Sequence, residues 1–491
     1  MKSMNMKTLR IAVLAALACL AAGCTVGPDY KRPTVPVPAT YSELEGWTQA
    51  QPAEAEAPKG DWWTAFDDPL LNQLEPMISV SNQTVRQDYA SYQEALAEVK
   101  VARASLFPTI GVTGSATRQR ASASTTSTSL GTRSSVYNSG SLEGSVSWDL
   151  DLWGEVRRTI EENAATAQAS QATLANATLS EQVALATAVI DLRVADANID
   201  LYQRTVNEYT EYLRVIAAQD KAGTIAPSDL VSAQTQLENA QSSLIALGVA
   251  RAQYAHAIAV LVGKNPEELT IPHSEKLPSM PAIPAGVPST LLQRRPDIAV
   301  AERQMASQNA AIGVEIAAYY PTVSLSAIGE FTQSPLNGLL KAANRVWSLG
   351  GSASETIFDG GERSGKVAAA RAAYDAAVAN YRGTVLTAFE DVENDLSGLR
   401  ILSQQQTVID GAVRDATRGT QIAKNEYQAG TVDYTTVATA QATQLTSEES
   451  ALTVHEQRLL DTATLFGDLG GGWTADWLCD PRHGSCETAA H

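Results

Sequence analysis

The chain has 491 residues and a formal charge of −18, with 54 acidic against 36 basic side chains. An acidic balance this strong excludes nucleic acid and anionic lipid surfaces as main partners. Its histidines, His256, His273, His455, His483 and His491, are scattered, and no His-Glu-x-x-His, Walker or nucleophile-elbow spacing supplies the parts of an enzyme.

Lys2, Lys7 and Arg10 precede an apolar run, 11–20, that is too short to anchor in a bilayer, and Ala21-Ala22-Gly23-Cys24 follows. The pattern resembles a bacterial lipoprotein signal, which implies removal of 1–23 and a covalent lipid on Cys24. By the same resemblance Thr25, where an Asp would retain the protein at the inner membrane, favours the outer membrane. Without the leader's three basic residues the charge is −18 − 3 = −21. Residues 24–60, rich in Pro, Ala and Glu, read as an extended, lipidated N-terminal arm.

Residues 61–280 form a first repeat. Asp61-Trp62-Trp63 and Phe66 start the packed part, and Leu71, Leu74, Ile78, Val85, Tyr92 and Leu96 predict helix across 70–106. Ile110, Val112 and Gly114 then alternate with polar residues, a Ser/Thr-rich loop covers 121–135, and Leu142 to Leu152 alternates again. This predicts two strands, and Trp148 and Trp153 at their end suit the aromatic belt of a membrane barrel. Gly154 to Ala222 holds no Pro and no internal Gly, so it predicts a helix of about 100 Å, and Pro227 to Val262 is the shorter return helix.

Residues 281–473 repeat the order. Arg294-Arg295-Pro296-Asp297 reads as the start of a helix, with Pro296 near its first position. Val323 to Phe331 and Trp347 to Ile357 predict the second strand pair. Gly361 to Ala429 and Tyr434 to Phe466 predict the long and short helices. The turns between long and short helices match without a gap: Ala222-Gly223-Thr224 lies over Ala429-Gly430-Thr431, an offset of 429 − 222 = 207. In each, Gly supplies a left-handed residue that ends one helix before the next begins. The chain therefore reads as an internal two-fold repeat of helical hairpins. In the tail, 474–491, Cys479 and Cys486 could close a disulfide loop in an oxidising compartment. His483 between them leaves the ligand set short of tetrahedral zinc, so no metal site is assigned.

Four membrane strands cannot close on themselves, because open edges in lipid leave backbone groups unsatisfied at several kcal/mol each. Three chains would supply 3 × 4 = 12 strands, an allowed even number, and the same oligomer would let the helices close into a tube. This combination resembles the outer-membrane factor (TolC-like) family of tripartite efflux pumps, in its OprM-type lipoprotein branch. The residues that carry the resemblance are the run from Cys24 to Pro33, Trp62-Trp63, Leu292 to Ile298, Tyr320-Pro321-Thr322 and Gly470 to Trp473.

The resemblance implies a fold that is mainly α with a membrane β-barrel: a homotrimeric 12-stranded barrel in the outer membrane, continued by a long α-helical barrel in the periplasm. It implies no cofactor beyond the lipid on Cys24. It also implies a periplasmic adaptor and an inner-membrane pump of the RND type as partners, and small-molecule efflux as the function. The periplasmic tip would hold Gly223, Asp229, Ser232, Gly430, Asp433, Thr436 and Thr439. Family members often carry acids at the places of Thr436 and Thr439, so the charge of the gate here falls to Asp433 and Asp229, or the seal is lined by Thr. For Asp229 a plain helix cap is the alternative. A type I secretion or metal-efflux duct, or a structural helical lipoprotein, are the competing readings, and Met77, Met280 and Met305 are too few for a soft-metal relay.

Overall fold

The structure, a computed structural model, describes residues 25–35, 60–120, 136–281, 294–333, 338–482 and 486. Cys24 lies outside the described residues. A short 3₁₀ turn, Trp62–Phe66, leads into α1 (Pro69–Ser81), α2 (Gln83–Ala104), β1 (Thr109–Arg120), β2 (Val136–Leu150), α3 (Glu155–Lys221) and α4 (Pro227–Leu261). The second half gives α5 (Pro296–Ala317), β3 (Thr322–Gln333), β4 (Arg345–Ser354), α6 (Glu362–Gln428) and α7 (Tyr434–Asp468).

The two halves match in length, not only in order. Helices α2 and α5 have 22 residues each, α3 and α6 have 67, and α4 and α7 have 35. Long helices start 362 − 155 = 207 residues apart and so do short ones, 434 − 227 = 207. Helix α6 runs unbroken through its glycines. At Gly398 a Cβ would lie 2.8 Å from the Asp461 carboxylate of α7, which would have to move aside.

Three boundaries differ from the sequence reading. Helix does not continue across 70–106: it breaks at Asn82, whose extended backbone ends α1. The Asn82 side chain then caps α2, accepting from the Thr84 and Val85 amides at 2.8 and 3.1 Å. Periodicity misses this break because the apolar face continues across it. β2 stops at Leu150 rather than Leu152, since Asp151 turns to accept from the Val156 and Arg157 amides at the start of α3, both at 3.1 Å. β4 stops at Ser354 rather than Ile357, since Glu355 and Asp359 turn to Arg363 at 3.1 and 2.6 Å.

Trp62, Trp63 and Phe66 pack on Leu185 and Val189 of α3, Ile258 of α4 and Phe466 of α7, with the Trp62 and Phe466 rings stacked at 5.6 Å. Around this core runs a buried ionic lattice. Asp68 caps α1 and pairs with Arg193 at 2.8 Å. Fully buried Asp196 takes Arg251 at 2.6 Å and the Ser274 amide at 3.1 Å, so the segment after α4 is tied to α3.

The described part of the N-terminal arm is docked against the body. Arg158, itself buried, donates to the Val26 and Gly27 carbonyls and to Asp29 at 2.9–3.2 Å. Asn309 donates to the Pro28 carbonyl, Tyr30 to Glu302, and Arg32 to the Tyr381 hydroxyl. A Cβ on Gly27 would lie 2.5 Å from the Gly313 Cα, and one on Gly154 2.9 Å from the Thr25 Cα. The Val-Gly-Pro-Asp-Tyr string is therefore a strap across α3, α5 and α6.

Glu75 is fully buried in α1, and neither carboxylate oxygen has a hydrogen-bond partner among the described residues. Burial pushes its carboxyl from an ordinary 4.5 up to about 9. The folded state keeps this proton at neutral pH and the unfolded chain releases it. Stability therefore falls as pH rises from about 4.5 towards about 9, with roughly 3 kcal/mol of the loss reached by pH 7. Glu75→Met should raise the thermal midpoint in detergent, more at pH 8 than at pH 5; equal shifts at both pH values would contradict the assignment.

Candidate channel wall and periplasmic tip

The strands form one antiparallel sheet in the order β1-β2-β3-β4. Its register puts the alternating residues of both repeats on one face. Ile110 lies beside Val146, Ala327 and Leu349, and Val112 beside Gly144, Gly329 and Trp347. Towards α3 the rows continue as Trp148, Leu325 and Gly351, then Leu150, Val323 and Ala353. Ile110, Val112 and Leu349 are each about three-quarters exposed within one protomer. Charge enters first on β4, where Arg345 shares the row of Leu142 and Phe331, and then on β1 at Arg118 and Arg120, while β2 stays uncharged on this face. From Leu150 to Gly140 the apolar run covers about 33 Å of strand, or roughly 25 Å of height at a tilt of about 40°. That matches the hydrocarbon band of an outer-membrane barrel.

The opposite face is mostly hydroxylated. Ser115 and Ser141, Thr117 and Ser139, and Ser324 and Ser352 pair across strands at 2.9, 2.6 and 2.7 Å. Glu143 and Glu330 are direct cross-strand neighbours on this side. Like charges placed opposite each other destabilise a ladder, so the pair is tolerable only facing water. This side has the chemistry of a wall that faces water. Ile328 and Val346 are its apolar exceptions.

Aromatics gather where strands hand over to helices. Trp148 donates to the Leu106 carbonyl at 3.1 Å. Trp153 stacks on Tyr320 at 4.8 Å and donates to the Pro321 carbonyl. Arg363 lies 5.3 Å over the Tyr319 ring. The Trp-Gly and Tyr-Tyr-Pro landmarks of the two repeats thus meet at one level.

The far ends of the helices, about 100 Å away, carry the two Gly-Thr turns. Gly223 and Gly430 have φ of 66° and 71°. The Thr224 amide and hydroxyl both donate to the Gln219 carbonyl at 3.0 Å, and Thr431 treats Glu426 in the same way at 3.0 and 2.9 Å. That double bond explains why Thr follows Gly in both copies: it closes the orphan carbonyls at the helix end.

The next helices begin differently. Ala226 occupies the cap position of α4 with Pro227 first in the helix, and Asp229 sits in the first turn with no side-chain cap bond. Asp229 thus stands in the first turn, where its charge favours the positive end of α4, rather than at the cap position itself. Asp433 is the cap of α7, accepting from the Thr436 amide at 3.2 Å and from the Thr435 and Thr436 hydroxyls. The Thr435 bond, then those from Thr436, hold its carboxyl below the ordinary range. Thr439 bonds back to the Thr435 carbonyl. Ser232, Asp433, Thr436 and Thr439 are exposed and Asp229 is half-buried.

The sequence reading did not find what joins the two hairpins. Tyr434 is buried between them, with Tyr212 and Tyr427 at 6.3 and 6.2 Å. Its hydroxyl donates to Gln236 at 3.3 Å, Gln236 donates to the Ala438 carbonyl at 3.2 Å, and the Tyr427 hydroxyl donates to Gln219 at 2.5 Å. Lys424 pairs with Glu208 at 2.8 Å. Tyr434 falls three residues after the duplicated Gly-Thr, and that spacing was the available signal.

Elsewhere the motif residues are structural. Arg295 is buried and holds Asp297, Asp391 and Asp468 at 2.9, 3.2 and 3.0 Å, which joins the start of α5 to α6 and α7. Cys479 and Cys486 are joined in a disulfide. Among the described residues no cluster of His, Cys, Asp and Glu could hold a metal ion.

A family model described as Outer membrane efflux protein matches residues 76–264 and 287–471. The chain is 28% identical to the antibiotic efflux pump outer membrane protein ArpC of Pseudomonas putida over 465 residues, 94% of this chain and 95% of the relative. It is 28% identical to the outer membrane protein OprJ of Pseudomonas aeruginosa over 465 residues, 94% of this chain and 96% of that protein. The solved outer-membrane channel OprN superposes with a TM-score of 0.84 at 29% identity, covering 92% of this chain and all of the other.

Replacing Glu143 and Glu330 together by Gln removes two carboxylates from the hydroxylated face and leaves Asp149. The ratio of cation to anion permeability, read from the reversal potential under a salt gradient in planar bilayers, should fall. An unchanged reversal potential would take these residues out of the lumen.

Proposed function

The chain belongs to the outer membrane efflux protein family, and from that premise we propose how this outer-membrane efflux duct is assembled and gated. Three copies pair β4 of one protomer with β1 of the next, which makes a 12-stranded barrel. The observation that carries this reading is a four-stranded sheet with one apolar face and two unpaired edges, which has no stable place in lipid alone. Helix α4 supports it: an 18-residue stretch has a mean hydropathy of 1.5, yet 11% of it is buried within one protomer. Ile245 and Val249 on α4 and Val408 on α6 are exposed, and neighbouring protomers in a closed tube of helices would cover such faces.

Covalent lipid on Cys24 adds an anchor beside the barrel, since Val26 donates to the Trp153 carbonyl at the strand-to-helix junction. A periplasmic adaptor and an inner-membrane pump, of the RND type, deliver cargo and energy, and the chain itself is a conduit without catalytic chemistry. Small molecules are the proposed cargo, since antibiotic efflux is the named role of the relative ArpC.

The tip is the gate. Gly223, Asp229, Ser232, Gly430, Asp433, Thr436 and Thr439 would ring the axis, with Asp433 the principal charge. Opening must part the two hairpins of each protomer and so break the Tyr427–Gln219, Tyr434–Gln236 and Gln236–Ala438 bonds. Such bonds contribute about 1 kcal/mol each. They can hold a closed state and still yield to a docked partner.

Tyr427→Phe combined with Gln236→Ala removes all three bonds. Open probability in single-channel recordings should rise by on the order of a hundredfold, and unchanged opening by an intact trimer would remove the hairpin contacts from the gate. Asp433→Asn keeps a helix-capping side chain and deletes the charge, whereas Asp433→Ala deletes both. Both should raise leak conductance. A rise with Ala alone would reduce Asp433 to a cap worth about 1 kcal/mol.

A further inference from the structure

The C-terminal segment is seated in a groove. After the turn at Gly470, Gly471 and Gly472, all at positive φ, the chain runs beside α3. Gln171 Nε2 donates to the Trp477 carbonyl at 3.1 Å, the Cys479 amide donates to Gln171 Oε1 at 2.9 Å, and Gln168 Nε2 donates to the Cys479 carbonyl at 3.2 Å. From the other wall Arg103, at the end of α2, donates to the Pro481 and Arg482 carbonyls at 3.4 and 2.5 Å. The contacts step back along α3 towards its start at Glu155, so the tail climbs towards the barrel. Cys486 is 4% exposed and packs with Tyr92, Leu96 and Val99 of α2 and Ala167 of α3.

We propose that Cys479 and Cys486 form an oxidation site that locks the tail between α2 and α3 only after a periplasmic dithiol oxidant has acted. The five bonds that seat the tail all involve three long, flexible side chains, Gln168, Gln171 and Arg103. An irregular segment loses much backbone freedom on docking. The disulfide, with its Cα atoms 5.7 Å apart, removes part of that freedom beforehand and carries Cys486 into the apolar groove. In the step itself the two thiols lose two protons and two electrons as their S–S bond forms. The oxidant's disulfide accepts both electrons, breaks and leaves as a dithiol, through a mixed disulfide.

The proposal rests on the reading of α2 and α3 as periplasmic. Its test uses the full-length protein in detergent, purified without reductant and then treated with a phosphine. Maleimide labelling counts the freed thiols, and hydrogen exchange is followed in the peptide 474–482. Reduction should speed exchange there at least tenfold. The Cys479→Ser/Cys486→Ser variant should exchange at the reduced rate with or without phosphine. Unchanged protection after both thiols are labelled would overturn the proposal, and this comparison needs no variant to fold. Single-channel conductance of the same oxidised sample reports separately on the duct: a conducting trimer with an insensitive tail sinks only the clamp.

Discussion

Backbone polar groups cannot be left unpaired in hydrocarbon, and most of this molecule follows from that. Four strands per chain leave β1 and β4 with open edges, so neither the sheet nor its apolar face is viable in a single copy. The helices carry the same incompleteness down the chain. A helix such as α4, apolar over 18 residues and mostly uncovered by its own protomer, is consistent only with neighbours that cover it. Under the proposed assembly the isolated chain is one sector of a closed tube. Exposed large apolar residues such as Leu349 and Ile245 mark where lipid and other protomers must lie.

Duplication gives the sector its shape. Equal long helices and equal short helices at one offset of 207 residues bring both Gly-Thr turns to the same level, and equal α2 and α5 set both strand pairs at the other. Between the 22-residue and 67-residue helices the repeats differ in β2 against β4, in the loop before these strands and in the connection after them, where no helix length is changed. A change of one residue within α3 or α6 alone would rotate every later side chain by about 100° and misplace its tip against the other. The conserved length in both copies reads as a constraint on the level of the tip.

Local punctuation made much of this legible in the sequence. Gly223 and Gly430 announced helix ends, alternation announced the strands, and Trp148 and Trp153 marked the strand-to-helix junction. Each of these signals is written within a few residues. What escaped was long-range. Arg158 reads as an ordinary helix residue until Val26, Gly27 and Asp29 lie against it. Asn82 sits in an unbroken apolar pattern that says nothing of its backbone. Glu75 looks like one more surface acid, and its burial depends on residues a hundred positions away. At the tip, Asp433 was read for charge, while its hydrogen bonds to Thr435 and Thr436 give it a local role as well.

These long-range contacts divide unevenly along the molecule, and the division matters for gating. On the barrel side the N-terminal strap crosses three helices with a buried arginine at its centre and the tail lies in the α2–α3 groove, while nearer the middle of the helices Arg295 holds three carboxylates. Removing one partner of a buried ion pair costs about 3–5 kcal/mol, so this end resists sliding. At the tip the hairpins meet through a small tyrosine cluster and hydrogen bonds worth about 1 kcal/mol each. A force applied anywhere along 67-residue helices therefore finds its lowest resistance at their far end. The contacts are thus strongest over the barrel-side part of the chain and weakest at the two Gly-Thr turns, which is the distribution that the proposed gate requires.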